Sequence, residues 1–153
     1  MIRPLAPGQE GVMFELVREL ADYEHLPMFV DAEAFAKGLA ASPQVGAALA
    51  WEGEVAVGYA LWYPTFSTFR GQGRLFLEDL YVTPSARGRG FGKALLSHVA
   101  NVAVEAGYEV LHWQVLAWNK LAIDFYRSLR AELDDGWLDC RVSGPALAEL
   151  SSG

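Results

Sequence analysis

The sequence predicts an α/β or α+β domain, with a mixed β-sheet carrying helices on its faces in one unit over residues 1–153. Three observations lead there. Strand-like runs of branched and aromatic residues come first as a cluster and later alternate with helical patterns, an order that builds mixed sheets. The stretch Leu75–Leu96, LFLEDLYVTPSARGRGFGKALL, passes from a buried-strand pattern through a glycine-rich turn into a helical one. A chain of 153 residues, 52% hydrophobic and 20% charged, holds one proper core and is too short for two ordinary domains.

Met1–Leu5 reads as a short first strand ending near Pro4 and Pro7. Between Gln9 and Tyr23, residues Val12, Leu16, Leu20 and Tyr23 recur at helical spacing and mark an amphipathic helix. The link Glu24-His25-Leu26-Pro27 is broken by proline and is placed to border a cleft. Asp31 is set to cap a short second helix carrying Phe35 and Leu39, which Ser42-Pro43 stops. Val45–Trp51 and Val55–Tyr63 are strand-like runs joined by a hairpin at Glu52-Gly53. Pro64–Gly73 reads as a turn-rich loop feeding a central strand, Leu75–Val82, which Pro84 and Ser85 end. The helix after the glycine turn sets Leu95, Val99, Val102 and Ala106 on one face. Tyr108–Ala117 reads as a strand, Asn119 caps a helix running through Leu129, and Trp137–Val142 reads as a last strand before a frayed tail, Ser151-Ser152-Gly153.

Composition narrows the function classes. The net charge of −7 argues against nucleic acid as the main partner and suits a cationic substrate, although acidity also serves solubility alone. No apolar run spans a bilayer and no leader pattern opens the chain, so no membrane partner is expected and a cytoplasmic protein is. The single Cys140 excludes an internal disulfide and a cysteine zinc cluster. His25, His98 and His112 show no ligand spacing, and no metal is expected.

The turn Arg87-Gly88-Arg89-Gly90-Phe91-Gly92 between strand and helix has the makings of an anion site. Glycines let backbone approach a ligand, and a first helical turn offers unpaired N–H groups at the positive end of its dipole. A phosphate or pyrophosphate is the expected guest. Taken alone, the turn is equally a tight connection. It matches neither G-x-x-x-x-G-K-[ST] nor G-x-G-x-x-G. It does match Arg-x-x-Gly-x-Gly (Arg87, Gly90, Gly92). Together with ELADYE, FLEDLYV, RGRGFGKALL and AWNKLAIDFY, it resembles the GNAT superfamily of N-acetyltransferases. Within that superfamily these segments look, in the same order, like the spermidine/spermine (diamine) N-acetyltransferase family, including its thialysine-acetylating branch.

The resemblance implies the GNAT fold, with central parallel strands splayed to admit coenzyme A, and acetyl-CoA as co-substrate. It places the pantetheine arm along the backbone of Leu80, Tyr81 and Val82. The pyrophosphate falls at Arg87, Gly88, Arg89, Gly90, Phe91, Gly92 and Lys93, and further coenzyme contacts at Asn119, Lys120, Leu121 and Ala122. Asn119 as a helix cap is compatible with that role. A homodimer whose clefts draw on both chains is also implied.

Acetyl transfer to an amine requires the amine to lose a proton, the oxyanion to be stabilised and the departing thiolate to be protonated. An alkyl amine with a pKa near ~10.4 is neutral in only about one molecule in a few thousand at neutral pH. By resemblance Glu78 takes that proton, through water, and Tyr126 gives one to the sulfur. Glu78 and Asp79 point to opposite faces if their strand is regular. Flanking Leu77, Leu80 and Val82 suggest that Glu78 is buried, a costly position for a carboxylate without function. Helical spacing alone would make Tyr126 a core aromatic; its setting, Asn119-x-x-Ala122-x-x-x-Tyr126, favours the acid.

For the small primary-amine substrate the resemblance points to Tyr23, Glu24, Glu78, His112, Trp113, Gln114 and Asp135. Glu24 and Asp135 are equally compatible with solvated surface charges. Two departures stand out. The loop Phe66–Arg74 lacks the aspartate of polyamine-acetylating relatives and is closer to the thialysine branch, where Arg70 or Arg74 is available to an amino-acid carboxylate. Arg130 stands where relatives usually carry glycine. A di- or polyamine and a lysine-like amino acid both remain open as substrates. The rival classes are a CoA-binding regulatory module without catalysis, which would not need Glu78 and Tyr126, and a protein N-acetyltransferase.

Overall fold

The computed structural model describes residues 1–153, in two compact units, Met1–Gln114 and Val115–Gly153. The first unit is a five-stranded sheet with three α-helices. Its strands are β1 (Ile2–Pro4), β2 (Gly46–Glu52), β3 (Val55–Ser67), β4 (Gln72–Val82) and β5 (Leu111–Trp113), in that spatial order. Pairing is antiparallel from β1 to β4, and β4 and β5 run parallel. The helices are α1 (Glu10–Glu24), α2 (Ala32–Ala40) and α3 (Phe91–Glu105), the last entered through a 3₁₀ turn at Pro84–Ala86. The second unit contains α4 (Lys120–Ser128) and α5 (Gly144–Ser152). No helix is long and apolar enough to cross a membrane.

Local chemistry accounts for the helix starts. The Asp31 carboxylate accepts the Ala34 N–H at 2.8 Å, so it caps α2 as expected. Asn119 does the same for α4, its Oδ1 accepting from Ala122 N at 3.2 Å. In α1 the buried face is Met13, Leu16, Val17 and Leu20; Val12, expected on it, is 40% exposed. That face packs with Leu49, Tyr59 and Tyr81 into a core on one side of the sheet. On the other side lies α3, where the Trp62 ring meets His98. The α3 face is Leu95, Leu96, Val99 and Ala103, while Ala106, expected there, is exposed beyond the helix end.

Four expectations are corrected. Pro64–Gly73 is not a loop: β3 runs through Ser67, β4 begins at Gln72, and only residues 68–71 turn. Proline is tolerated at Pro64 because β2 stops pairing at Trp62, so β3 is an edge on that side from there on. Tyr108–Ala117 supplies only the three residues of β5. Trp137–Val142 forms no strand; Trp137 is 81% and Leu138 89% exposed, so no sheet neighbour satisfies the alternation. The tail read as frayed is the end of α5, helical through Ser152.

Two features of β4 position the site. The β4–β5 ladder covers only Leu75↔Leu111, Phe76↔His112 and Leu77↔Trp113, so β4 continues to Val82 with no β5 neighbour. That is the splay of the parallel strands. The second feature is a bulge: Trp62 faces Leu77 and Leu61 faces Asp79, leaving Glu78 as the extra residue.

Candidate active site

The bulge decides where the two carboxylates go. On β3, Tyr59, Leu61 and Tyr63 alternate onto the α1 face. Tyr63 Oη donates to Glu78 at 2.7 Å, and Tyr59 Oη donates to Asp79 at 3.1 Å. Glu78 and Asp79 therefore share one face, against the opposite-face expectation for a regular strand. The burial expectation is corrected as well. Glu78 is exposed, and Asp79 is the sequestered one.

Asp79 borders a cavity of about 170 Å³ between the end of α1 and the sheet. Val17, Leu20, Ala21, Leu26 and Pro27 give it aliphatic walls; Glu24 and Tyr59 complete the lining. The Glu24–Pro27 link thus borders a cleft, as its sequence suggests. Burial pushes the Asp79 carboxyl up to about 6, opposed by the Tyr59 hydrogen bond and assisted by the nearby charges of Glu78 and Glu24. Burial raises Glu24 too. Tyr63 is pushed up to about 12 by burial and by Glu78, so it remains a donor at any working pH. Two carboxylates on an aliphatic cleft, with the exposed Glu78 close enough for its charge to act on Asp79, form a receptor for an alkylammonium group.

The glycine turn forms the next part of the site. Gly88 (φ 72°) and Gly90 (φ 89°) take the left-handed backbone that glycine adopts freely, and a Cβ at either would meet nothing within 4 Å. The turn therefore borders open space at the start of α3, where no side chain caps the helix and its first N–H groups have no carbonyl within the helix. Such a cradle fits a diphosphate. Phe91 and Gly92 form its first helical turn and Lys93 is exposed beside it. Arg89 is held by Glu52, both terminal amino groups meeting that carboxylate. Arg87 turns the other way: Nε donates to Val82 O at 2.9 Å, and its guanidinium lies 4.6 Å over the Tyr23 ring. It ties the loop to the end of β4 and to α1. Leu80, Tyr81 and Val82 lie on the part of β4 past the β5 ladder, with Tyr81 Oη donating to Glu19 at 3.0 Å.

On β5, His112 is exposed and stacks edge-on against Phe76, with ring centroids 5.3 Å apart. Burial and the charge of Arg74 lower the His112 pKa. Trp113 pairs with Leu77, and Gln114, just past the ladder, is exposed. In the second unit Tyr126 is 7% exposed on α4, behind the buried cap Asn119. Lys120 and Leu121 are exposed in the first turn and Ala122 is half-buried. Asp135 is exposed; its neighbour Asp134 accepts from Gly136 N and Trp137 Nε1. Arg130 sits at φ 64°, with Ala131 N donating to Tyr126 O and Arg130 N to Arg127 O, a left-handed helix end built on a non-glycine residue.

Asp79 and Tyr59 are the polar residues of the cleft that sequence reasoning missed. The signal was adjacent acids in an otherwise apolar strand, which a regular strand buries on one face or the other.

Comparison with known proteins bears on the chain as a whole. The family model described as acetyltransferase (GNAT) family matches residues 11–130. A thialysine N-epsilon-acetyltransferase from Bos taurus is 37% identical over 99% of this chain and 96% of its own length. An L-ornithine N5-acetyltransferase from Arabidopsis thaliana is 37% identical over 63% of this chain and 42% of its own. Among solved structures, an integron cassette protein from the mobile metagenome of V. cholerae superposes with a TM-score of 0.84 at 25% identity, covering 100% of this chain and 98% of that one.

Proposed function

The chain belongs to the acetyltransferase (GNAT) family, and on that premise we propose that it is a single-domain enzyme transferring the acetyl group of acetyl-CoA to a small primary amine by direct attack. One observation carries the substrate class. Glu24 at the end of α1 and Asp79 on β4 line an aliphatic cleft, and Glu78 shares the sheet face of Asp79, an arrangement that draws an alkylammonium in and then has to deprotonate it. Glu78 is the exposed carboxylate and accepts the amine proton, directly or through water, while Tyr63 holds its side chain in place. Asp79 and Glu24 favour the incoming cation from the cleft wall.

The glycine turn and uncapped first turn of α3, Gly88–Lys93, suit the diphosphate, and the edge of β4 from Leu80 to Val82 suits the amides of the pantetheine arm. Acetyl-CoA, when bound, supplies an activated acyl group as a thioester. Tyr126, by its match to the family, is the acid, its Oη delivering a proton to the leaving sulfur. Asn119 holds the start of α4 on which that tyrosine is carried.

The relatives named above act, by their names, on the side-chain amine of an amino acid, which supports such a substrate here. Association as a homodimer belongs to the same reading, supported by the exposed Trp137 and Leu138 of a strand-patterned segment with no sheet neighbour. So does a cytoplasmic location, which would keep the lone exposed Cys140 a thiol.

The test is CoA release across a panel of diamines, diamino acids and peptides. Tyr126→Phe is expected to lower kcat by roughly 10²–10⁴ with coenzyme affinity changed little. Unaltered turnover removes Tyr126 from the chemistry. Tight CoA binding with no release for any amine would leave a binding module in its place.

A further inference from the structure

We infer that Arg87 is a positioning residue for the amine cleft: its side chain leaves the glycine turn and fixes the last turn of α1, which carries Tyr23 and Glu24. This rests on the acetyl-transfer reading and adds to it a residue that acts on the amine from the coenzyme side of the sheet end.

The guanidinium faces away from the glycine cradle. Arg87 Nε donates to Val82 O at 2.9 Å, which folds the side chain back along the end of β4. Its Cζ then lies 4.6 Å from the centre of the Tyr23 ring and 5.7 Å from that of Tyr81, so the cation is lodged between a helix ring and a strand ring. Tyr81 in turn donates through Oη to Glu19 at 3.0 Å. Glu19 and Tyr23 are four residues apart and share one side of α1. Strand end, glycine turn and helix end are thus joined by contacts that run through Arg87.

Helix α1 needs such a partner. Its last turn holds Asp22 and Glu24 and no basic residue, which adds negative charge to the negative end of the helix dipole. A half-buried guanidinium over Tyr23 offsets that charge. The same stretch of α1 builds the cleft wall. Leu20, Ala21 and Glu24 flank Tyr23 in sequence and line the cavity together with Asp79. Any displacement of the helix end carries the Glu24 carboxylate with it. For a diphosphate, the exposed Lys93 and the uncapped start of α3 remain in place without the Arg87 side chain.

Arg87→Met keeps the aliphatic stem and drops the charge. It is tested with two acyl donors, acetyl-CoA and S-acetyl-pantetheine, the second having the thioester and no diphosphate. An arginine that holds the cleft is expected to raise amine KM by the same factor with both donors, roughly five- to thirtyfold, while CoA affinity by calorimetry stays within about threefold. Arg87→Lys keeps a cation over the ring and is expected to recover part of the loss. Tyr23→Leu should raise amine KM too, and the double variant should be no worse than the poorer single change within about twofold, because both break one contact. If Arg87→Met fails to fold, Arg87→Lys with Tyr23→Leu runs the same cycle. The inference is overturned if the defect vanishes with the truncated donor, if it lies in coenzyme affinity alone, or if the two substitutions multiply. No CoA release from the unaltered protein with any amine would instead sink the acetyl-transfer reading, and the inference with it.

Discussion

Replacing Asp79 by asparagine is expected to stabilise the protein at neutral pH and to do so only above the acid range. Asp79 carries a folded-state pKa of about 6 against 3.8 for a solvated aspartate, because burial disfavours its charge. Between those values the folded protein binds the proton that the unfolded chain has released, so stability falls as pH rises through this window and stays low above it. The gap of about 2 units, at 1.36 kcal/mol each, amounts to about 3 kcal/mol at pH 7. Asparagine has nearly the same shape, and its carbonyl accepts the Tyr59 hydroxyl as the carboxylate does. The variant should match the wild type near pH 4 and exceed it by up to about 3 kcal/mol by pH 7, or roughly 6–12 °C in Tm. Urea denaturation of the two proteins from pH 4 to 8 reads this, since groups that do not interact with Asp79 cancel in the difference, leaving Glu24 and Glu78 as the neighbours that respond. A difference that is flat with pH, or one that falls as pH rises, refutes the placement of a protonatable carboxyl at this wall. Amine KM should rise in the same variant, a trade of stability for function.

Gly58→Ala would put a Cβ 2.5 Å from the Tyr81 carbonyl across the β3–β4 ladder, so the strands must part. A loss of roughly 1–3 kcal/mol in chemical denaturation and a weakened coenzyme affinity are expected together. Arg130→Gly relieves a left-handed residue and should raise stability by about 1 kcal/mol in the same assay, with kcat unchanged. Glu52→Gln releases Arg89 beside the glycine turn; coenzyme binding by calorimetry should tighten about two- to fivefold, with a steeper dependence on salt. Weaker binding would show that the pair supports the loop instead of competing with the ligand.

Sequence legibility followed interaction range. Asp31 and Asn119 announced their helices because a cap involves only the next three residues. The glycine turn was legible because left-handed backbone is written into Gly88 and Gly90. Arg130 was conspicuous for the same reason, as a side chain in a glycine's place. What stayed hidden depends on partners far along the chain. Glu78 was identified but assigned to the wrong environment, since the bulge arises from how Leu61 and Trp62 meet β4. Asp79 was overlooked with it. Trp137–Val142 has the alternation of a strand and forms none, because alternation describes one strand and a ladder needs two. Pro64 looked like a breaker until the end of β2 left its nitrogen with nothing to bond.

The extra residue in β4 also sets which layer each later side chain of that strand enters. Leu77 and Tyr81 have the same parity, yet the first shares its side with Trp62 and the second lies with Met13 and Leu16. Excising Glu78 would set Leu77 and Asp79 on consecutive positions opposite Trp62 and Leu61, so the ladder would alternate regularly with the Tyr81 phenol still in the layer of α1. Deletion at 78 would remove one carboxylate and straighten the strand while both hydrophobic layers kept their residues, whereas one further inserted residue would exchange them.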